Sequence, residues 1–145
     1  GLHVPNAPNF GILVWNKHRH GKRGDKMEQN EILILHGTDY AAMANQLLRA
    51  AGVAARIGDR RRVVALKPNL AVDAPASGGA TTHPELVAGT IEYLHENGFQ
   101  NLRVMESSWV GCRTAEACEA NGLRAVCGRY GGSVRRFAAG HKPYL

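Results

Sequence analysis

The sequence predicts an α/β fold, in which a small three-layer domain has a parallel or mixed sheet of about four strands with flanking helices. Short apolar runs alternate along the chain with segments of helical periodicity, and Gly, Pro, Asn or Asp residues separate the two kinds of segment. The 145 residues, of which 44% are hydrophobic, suffice for one domain with a core.

Four apolar runs are the predicted strands. Polar or turn-forming residues bound each run, and the third is stopped by a Lys-Pro-Asn sequence. The second run is typical of a buried strand, and the fourth is expected in the core of the sheet. In chain order the four runs are Phe10–Trp15, Glu31–Leu35, Val63–Leu66 and Leu102–Glu106.

Three segments are predicted helices. The first is capped by Thr38 or Asp39 and runs to Ala51, where Gly52 stops it. The strongest is Pro84–Asn97, which has an apolar stripe and an Asn-Gly end. A third, Thr114–Asn121, also closes on Asn-Gly. The stripe of the strongest helix consists of Val87, Ile91 and Leu94.

The segment from Val63 to Glu85 contains the most informative pattern, which is a strand, a Gly-rich loop and a helix start. Thr82-His83-Pro84-Glu85 predicts a capping box, with Thr82 as the cap and Pro in the first turn. A loop between a strand end and a helix N-terminus directs backbone N–H groups and a positive helix end into one space. The sequence therefore predicts an anion-binding site here. It lacks the Lys and the spacing of a P-loop.

Residues that follow the predicted strands are expected to meet, because ligands of parallel α/β sheets bind beyond the carboxyl ends of the strands. Lys67, His83, Glu106 and Asp39 are the candidate catalytic residues. The expected anion-binding residues are Asn69, Gly78, Gly79, Thr81 and Thr82, and the expected metal ligands are His18, His20, His36 and His83.

Each of these candidates also has a structural interpretation. Lys67 is equally well an exposed lysine at a strand end, and Asn69 is more often a turn former than a ligand. His83 is explained as well by helix capping as by ligation. The pair His18 and His20 has the spacing of two imidazoles on one side of an extended chain, but a fortuitous pair in a basic segment is the simpler interpretation.

The net charge of +6 favours anionic partners such as phosphate esters, nucleotides or nucleic acid, although a solvated surface with a basic tail is the simpler interpretation. Nucleic acid is an unlikely partner, because aromatic residues are only 6% of the chain and none alternates with the basic residues. No apolar run approaches the length of a membrane span, and Gly1–Asn16 does not have the pattern of a signal peptide. We therefore expect a cytoplasmic protein without a membrane partner.

Three sequence segments resemble the family called domain of unknown function 362. They are LKPNL, GATTHPELV and IEYLHENGFQNLRVMESSW, and the resemblance extends roughly from Glu31 to Cys127. The family's chemistry is largely unassigned, so the resemblance implies no catalytic residues. Some members carry iron–sulfur modules, but this sequence has no Cys-x-x-Cys cluster of ferredoxin type, and no iron–sulfur cluster is expected.

The resemblance also suggests how the chain is divided. Residues 1–26 are expected to be a basic N-terminal extension, 27–130 the α/β domain and 131–145 a C-terminal tail. Ser133–Leu145 is not expected to continue the family pattern. The chain is therefore interpreted as a truncated piece of a longer family member, and the open edges of a truncated sheet favour a homo-oligomer.

Two function hypotheses follow. The first is a small metal-assisted hydrolase of phosphoesters or similar anionic esters, with a divalent ion such as zinc activating water. The second is a non-catalytic domain that binds anions and self-associates, and that derives from an iron–sulfur-associated protein. Metal content and turnover separate the two.

Overall fold

The computed structural model describes residues 11–16, 31–106, 113–131 and 134–138. The described chain contains five strands and five α-helices. In order they are β1 (Gly11–Asn16), β2 (Glu31–His36), α1 (Tyr40–Ala50), α2 (Val53–Ile57), β3 (Val64–Leu66), α3 (Pro84–Glu96), β4 (Leu102–Glu106), α4 (Thr114–Asn121), α5 (Leu123–Arg129) and β5 (Val134–Ala138). None of the helices in these ranges is long and apolar enough to cross a membrane.

The strands form two separate sheets. Strands β3, β4 and β5 make a parallel sheet with β4 in the centre, and Leu66 of β3 lies opposite Val104 of β4. Strands β1 and β2 pair only with each other, in antiparallel orientation. The mixed α/β class is thus confirmed, whereas the single sheet of about four strands is not, because β2 takes β1 as its partner. Strand β5 was not predicted.

Strand β2 also differs from the buried strand that was expected. Its side chains alternate, and Ile32 and Ile34 are 53% and 47% exposed. A strand whose successive side chains point to opposite faces needs cover on both sides to be fully buried. In the described part of the chain, one side of β2 lacks that cover.

The core lies between the parallel sheet and helices α3 and α5. Leu102 and Val104 of β4 are almost completely buried, and they belong to one hydrophobic cluster with residues of both helices. The predicted stripe of α3 is confirmed, since its three residues are all buried. The members contributed by α3 and α5 include Val87, Ile91, Leu94, Leu123 and Val126.

Helix α1 packs closely on α3 at a glycine. A Cβ atom placed on Gly89 would lie 2.0 Å from the carbonyl oxygen of Ala41, so only glycine permits this approach. Farther along α1, Arg49 donates a hydrogen bond of 2.6 Å to Glu96 at the end of α3. The two helices therefore run side by side, and their N-termini lie at the same end of the domain.

The residues at the N-termini of α1 and α3 show which of the predicted helix caps are formed. Asp39 caps α1 as predicted, because its Oδ1 accepts a hydrogen bond from the Ala42 amide at 3.0 Å. The predicted capping box of α3 is wrong. His83 is the N-cap residue and makes no side-chain capping bond, while the Thr82 hydroxyl instead accepts the Asn69 amide. Pro84 does occupy the first turn, as expected.

Candidate anion-binding cleft

A cleft of about 330 Å³ lies where β3 ends and α3 begins. Its walls are mostly apolar, and the only charged side chain among its lining residues is the ammonium group of Lys67. Thr82 and Thr90 contribute hydroxyl groups, although the Thr90 hydroxyl donates to the Leu86 carbonyl at 2.7 Å. The lining residues are Ala65, Leu66, Lys67, Pro68, Thr82, Leu86, Val87 and Thr90.

Lys67, which lines this cleft, forms an ion pair with Glu106. The two residues follow or end neighbouring parallel strands, and Lys67 Nζ lies 2.6 Å from Glu106 Oε2. The lysine side chain is 74% exposed, but the glutamate side chain is only 8% exposed. The ion pair thus combines a buried carboxylate with an ammonium group that still faces solvent. Residues at the ends of the predicted strands were expected to lie close together, and Lys67 and Glu106 do so.

The Gly-rich loop is closed at its base by a set of hydrogen bonds. The Asn69 amide donates to Thr82 Oγ1 at 2.9 Å, and the Thr82 amide donates to the Asn69 carbonyl at 2.8 Å. The Asn69 side chain also donates to the Ala80 carbonyl at 2.9 Å. These bonds make Asn69 a structural residue of the loop base, which is the role expected of a turn former.

Asn121 holds the same loop base from the end of α4. Its Nδ2 donates to Thr81 Oγ1 and to the Thr82 carbonyl, both at 3.0 Å. Asn121 and Thr81 are only 6% and 7% exposed, so the bond between these two side chains is shielded from water. From the sequence alone, Asn121 was expected only to end a helix. An Asn-Gly pair is such a common helix end that its buried amide is recognisable only from the tertiary contact.

The tip of the loop uses its amides internally. The Gly78 amide donates to the Pro75 carbonyl at 3.1 Å, and the Gly79 amide donates to the Ala76 carbonyl at 2.9 Å. Gly79 has a φ of +79°, which is a left-handed conformation that favours glycine. An anion at the tip would therefore have to compete with two existing hydrogen bonds.

His83 lies against Tyr40 of α1 and near the carboxylate of Glu85. The two rings are 4.2 Å apart between centroids, and His83 Nδ1 is 3.9 Å from Glu85 Oε2. This contact between the starts of α1 and α3 was not foreseen, because nothing local in the sequence indicates that these helices are adjacent. Asp39, which precedes Tyr40, is engaged in capping α1.

The remaining metal candidates are not brought together in the described ranges. His36 ends β2 and is exposed. His18 and His20 lie outside the described residues. Among residues 11–16, 31–106, 113–131 and 134–138, no group of three or more His, Cys, Asp or Glu side chains is arranged to hold a metal ion.

The three parallel strands and the helices packed against them place this chain in the mixed α/β class. A family model described as a domain of unknown function (DUF362) matches residues 64–143, which is more than half of the chain. The chain belongs to this family. No curated protein and no solved structure matches the chain significantly.

The family match also corrects the expected extent of the resemblance. It begins at residue 64 rather than near Glu31, and it continues past Cys127 to residue 143. The segment that was not expected to follow the family pattern, Ser133–Leu145, therefore lies largely within the match. It contains β5, which pairs with β4 in the parallel sheet.

Proposed function

We propose that this domain binds a small anionic ligand, such as a phosphoester, in the cleft between the end of β3 and the start of α3. The observation that carries the proposal is the position of Lys67, which lines the cleft and has a side chain that is 74% exposed. An ammonium group acts as a point charge for phosphate oxygens, and the N-terminus of α3 adds partial positive charge nearby.

The hydrogen bonds of the loop decide which groups contribute to binding. Lys67 is the principal cation, and Thr82 lines the cleft beside it. The amides of Gly78 and Gly79 contribute to anion binding only if the anion displaces the carbonyls to which they now donate hydrogen bonds. Thr81 and Asn69 support the site by fixing the base of the loop. Binding therefore depends chiefly on one charged side chain.

Titration calorimetry with inorganic phosphate tests this proposal. Lys67→Ala is expected to abolish measurable binding. Because this change also leaves the largely buried Glu106 carboxylate without its described cation, a thermal melt first verifies that the variant is folded. Arg49→Ala is the matched control: it also removes an exposed cation that contacts a glutamate at 2.6 Å, but on the α1–α3 surface. Phosphate binding that is unchanged in Lys67→Ala, or absent in the unmodified protein, would refute the proposal.

A second candidate function is metal-assisted hydrolysis of a phosphoester in the same cleft. Glu106 favours it, since a carboxylate that is 8% exposed beside an anion site is a suitable general base. In this scheme Lys67 would stabilise charge on the substrate oxygens, and Glu106 or Asp39 would take the proton from water. His83 would be one ligand of a divalent ion such as zinc, which would supply an activated water. The described residues do not assemble a metal centre on their own, so His18, His20 or His36 would have to join His83.

Metal analysis of the purified protein, followed by nitrophenyl phosphate assays with and without chelator, distinguishes the two functions. A bound metal and a chelator-sensitive turnover would support hydrolysis. Phosphate binding without metal and without turnover would support the non-catalytic function.

Self-association belongs to the same proposal, since strands β3 and β5 are the outer strands of the parallel sheet. Val63, which precedes β3, and Met105 of the central strand β4 are 56% and 44% exposed. We expect a second copy of the chain to cover part of this surface. Light scattering across a range of protein concentrations tests this expectation, and a monomer at every concentration would contradict it.

A further inference from the structure

We propose that Glu106 makes the cleft selective for anions that retain an acidic proton at neutral pH, of which inorganic phosphate is the simplest. Fully deprotonated anions such as sulfate would be disfavoured. The inference rests on the proposed function, because it concerns an anion that binds Lys67. It assigns to Glu106 the role of a specificity-determining residue rather than that of a base.

The starting point is the asymmetry of the ion pair. Glu106 Oε2 lies 2.6 Å from Lys67 Nζ, yet the glutamate side chain is 8% exposed and the lysine side chain 74%. The carboxylate is shielded from water, so removing its only described cationic contact would leave a poorly solvated charge. An incoming anion is therefore expected to share Lys67 with Glu106 rather than to displace the glutamate.

Sharing is chemically possible because an ammonium group has three donors. Two oxygens that accept from the same ammonium group lie about 4–5 Å apart, given hydrogen bonds of ordinary length. A ligand oxygen on Lys67 is thus held close to the Glu106 carboxylate. Because that carboxylate is largely removed from solvent, the repulsion between the two anions is weakly screened.

A proton on the ligand changes this balance. The P–OH group of hydrogen phosphate can donate to a Glu106 carboxylate oxygen, and a charge-assisted hydrogen bond then replaces a repulsive contact. Sulfate has similar size and oxygen geometry but no proton to donate at neutral pH. The chemistry of the pair therefore predicts a preference for phosphate, although sulfate carries as much charge.

The test compares phosphate with sulfate and with dimethyl phosphate, measured by titration calorimetry at neutral pH. Dimethyl phosphate has a single charge and no acidic proton, so it separates the effect of the proton from that of total charge. We expect phosphate to bind about tenfold more tightly than either alternative, the scale of one charge-assisted hydrogen bond. Equal affinity for phosphate and sulfate in the unmodified protein would overturn the inference and leave the proposed function intact.

Glu106→Gln keeps the shape of the side chain and replaces one acceptor oxygen with a donor. The preference for phosphate over sulfate is expected to disappear in this variant, whereas Glu96→Gln should retain it. Glu96 is the matched control because it also accepts from a cation at 2.6 Å, but it is far more exposed. A preference that persists in Glu106→Gln would refute the assignment.

If Glu106→Gln does not fold, the comparison of phosphate with dimethyl phosphate in the unmodified protein decides the question. Dimethyl phosphate that binds as tightly as phosphate would overturn the inference without any variant. Failure of all three anions to bind would instead refute the proposed function, and the inference with it.

Discussion

Replacing Gly89 by alanine should destabilise this protein, although alanine is the better helix former. The Cβ atom of alanine would lie 2.0 Å from the carbonyl oxygen, 2.6 Å from the carbonyl carbon and 2.8 Å from the Cα of Ala41. Ordinary van der Waals contact begins near 3.4 Å. Since all three atoms belong to the backbone of α1, the clashes can be relieved only if the two helices separate by more than about 1 Å.

The expected size of the effect follows from two opposing terms. Alanine in the interior of a helix is favoured over glycine by about 1 kcal/mol. Overpacking of a close helix contact costs about 1–3 kcal/mol and occasionally more. Because the clash is with the backbone, the cost should be at the upper end, so we expect a net loss of about 1–2 kcal/mol in the free energy of unfolding.

The assay is equilibrium unfolding in urea, with Gly128→Ala as the matched control. Gly128 lies in α5, and a Cβ atom there would meet nothing within 4 Å. The control should therefore gain stability, by up to about 1 kcal/mol. If Gly89→Ala proves as stable as the unmodified protein, or gains stability as Gly128→Ala is expected to, the close α1–α3 contact is not present in solution.

Three other predictions concern named contacts. Burial and a hydrogen bond to Glu92 raise the pKa of Tyr130 to about 12. The stability that the neutral Tyr130 hydroxyl contributes is therefore complete below pH 10 and is lost as the pH rises toward 12. Melting curves recorded across this pH range should show the loss in the unmodified protein but not in Tyr130→Phe. Arg60 donates to three backbone carbonyls and lies over an aromatic ring. Arg60→Ala should therefore lower the free energy of unfolding in urea by about 1–2 kcal/mol. Arg60→Lys should not restore the lost stability, because an ammonium group lacks the planar donor array of the guanidinium. Asn121→Ala should cost about 1–2 kcal/mol and accelerate hydrogen exchange of the Thr82 amide; an unchanged exchange rate would mean that α4 does not hold the loop base.

Local signals account for the elements that the sequence predicted well. Helix α3 has Pro in its first turn, one apolar stripe and an Asn-Gly end, and it runs from Pro84 to Glu96 with Gly98 at a φ of +85°. Strand β4 has the predicted bounds, Leu102–Glu106. In both cases the information lies within the segment, so no knowledge of a partner is needed.

Other features depend on contacts between distant parts of the chain. An apolar run such as Glu31–His36 does not reveal which strand it will pair with, and here the antiparallel partner β1 keeps it out of the parallel sheet. The Thr82 hydroxyl has the sequence position of a helix cap, but tertiary structure offers it the Asn69 amide instead. The same distinction holds for the candidate site. The proximity of Lys67 and Glu106 was predictable, because both lie at the carboxyl ends of parallel strands. The contacts of Asn121 and Tyr40 are visible only in the assembled fold.

The hydrogen bonds around the Gly-rich loop determine what kind of anion site this can be. A loop that binds phosphate through its backbone must keep its amides available, but Gly78 and Gly79 already donate to carbonyls of their own turn. Most of the attraction must therefore come from Lys67, which is exposed and shared with Glu106. An exposed charge is screened by salt, so phosphate affinity should be modest and should fall as ionic strength rises. The proposed selectivity, in contrast, depends on the buried carboxylate beside the lysine, which is screened much less. The proposal therefore predicts a cleft that distinguishes between anions better than it holds one of them tightly.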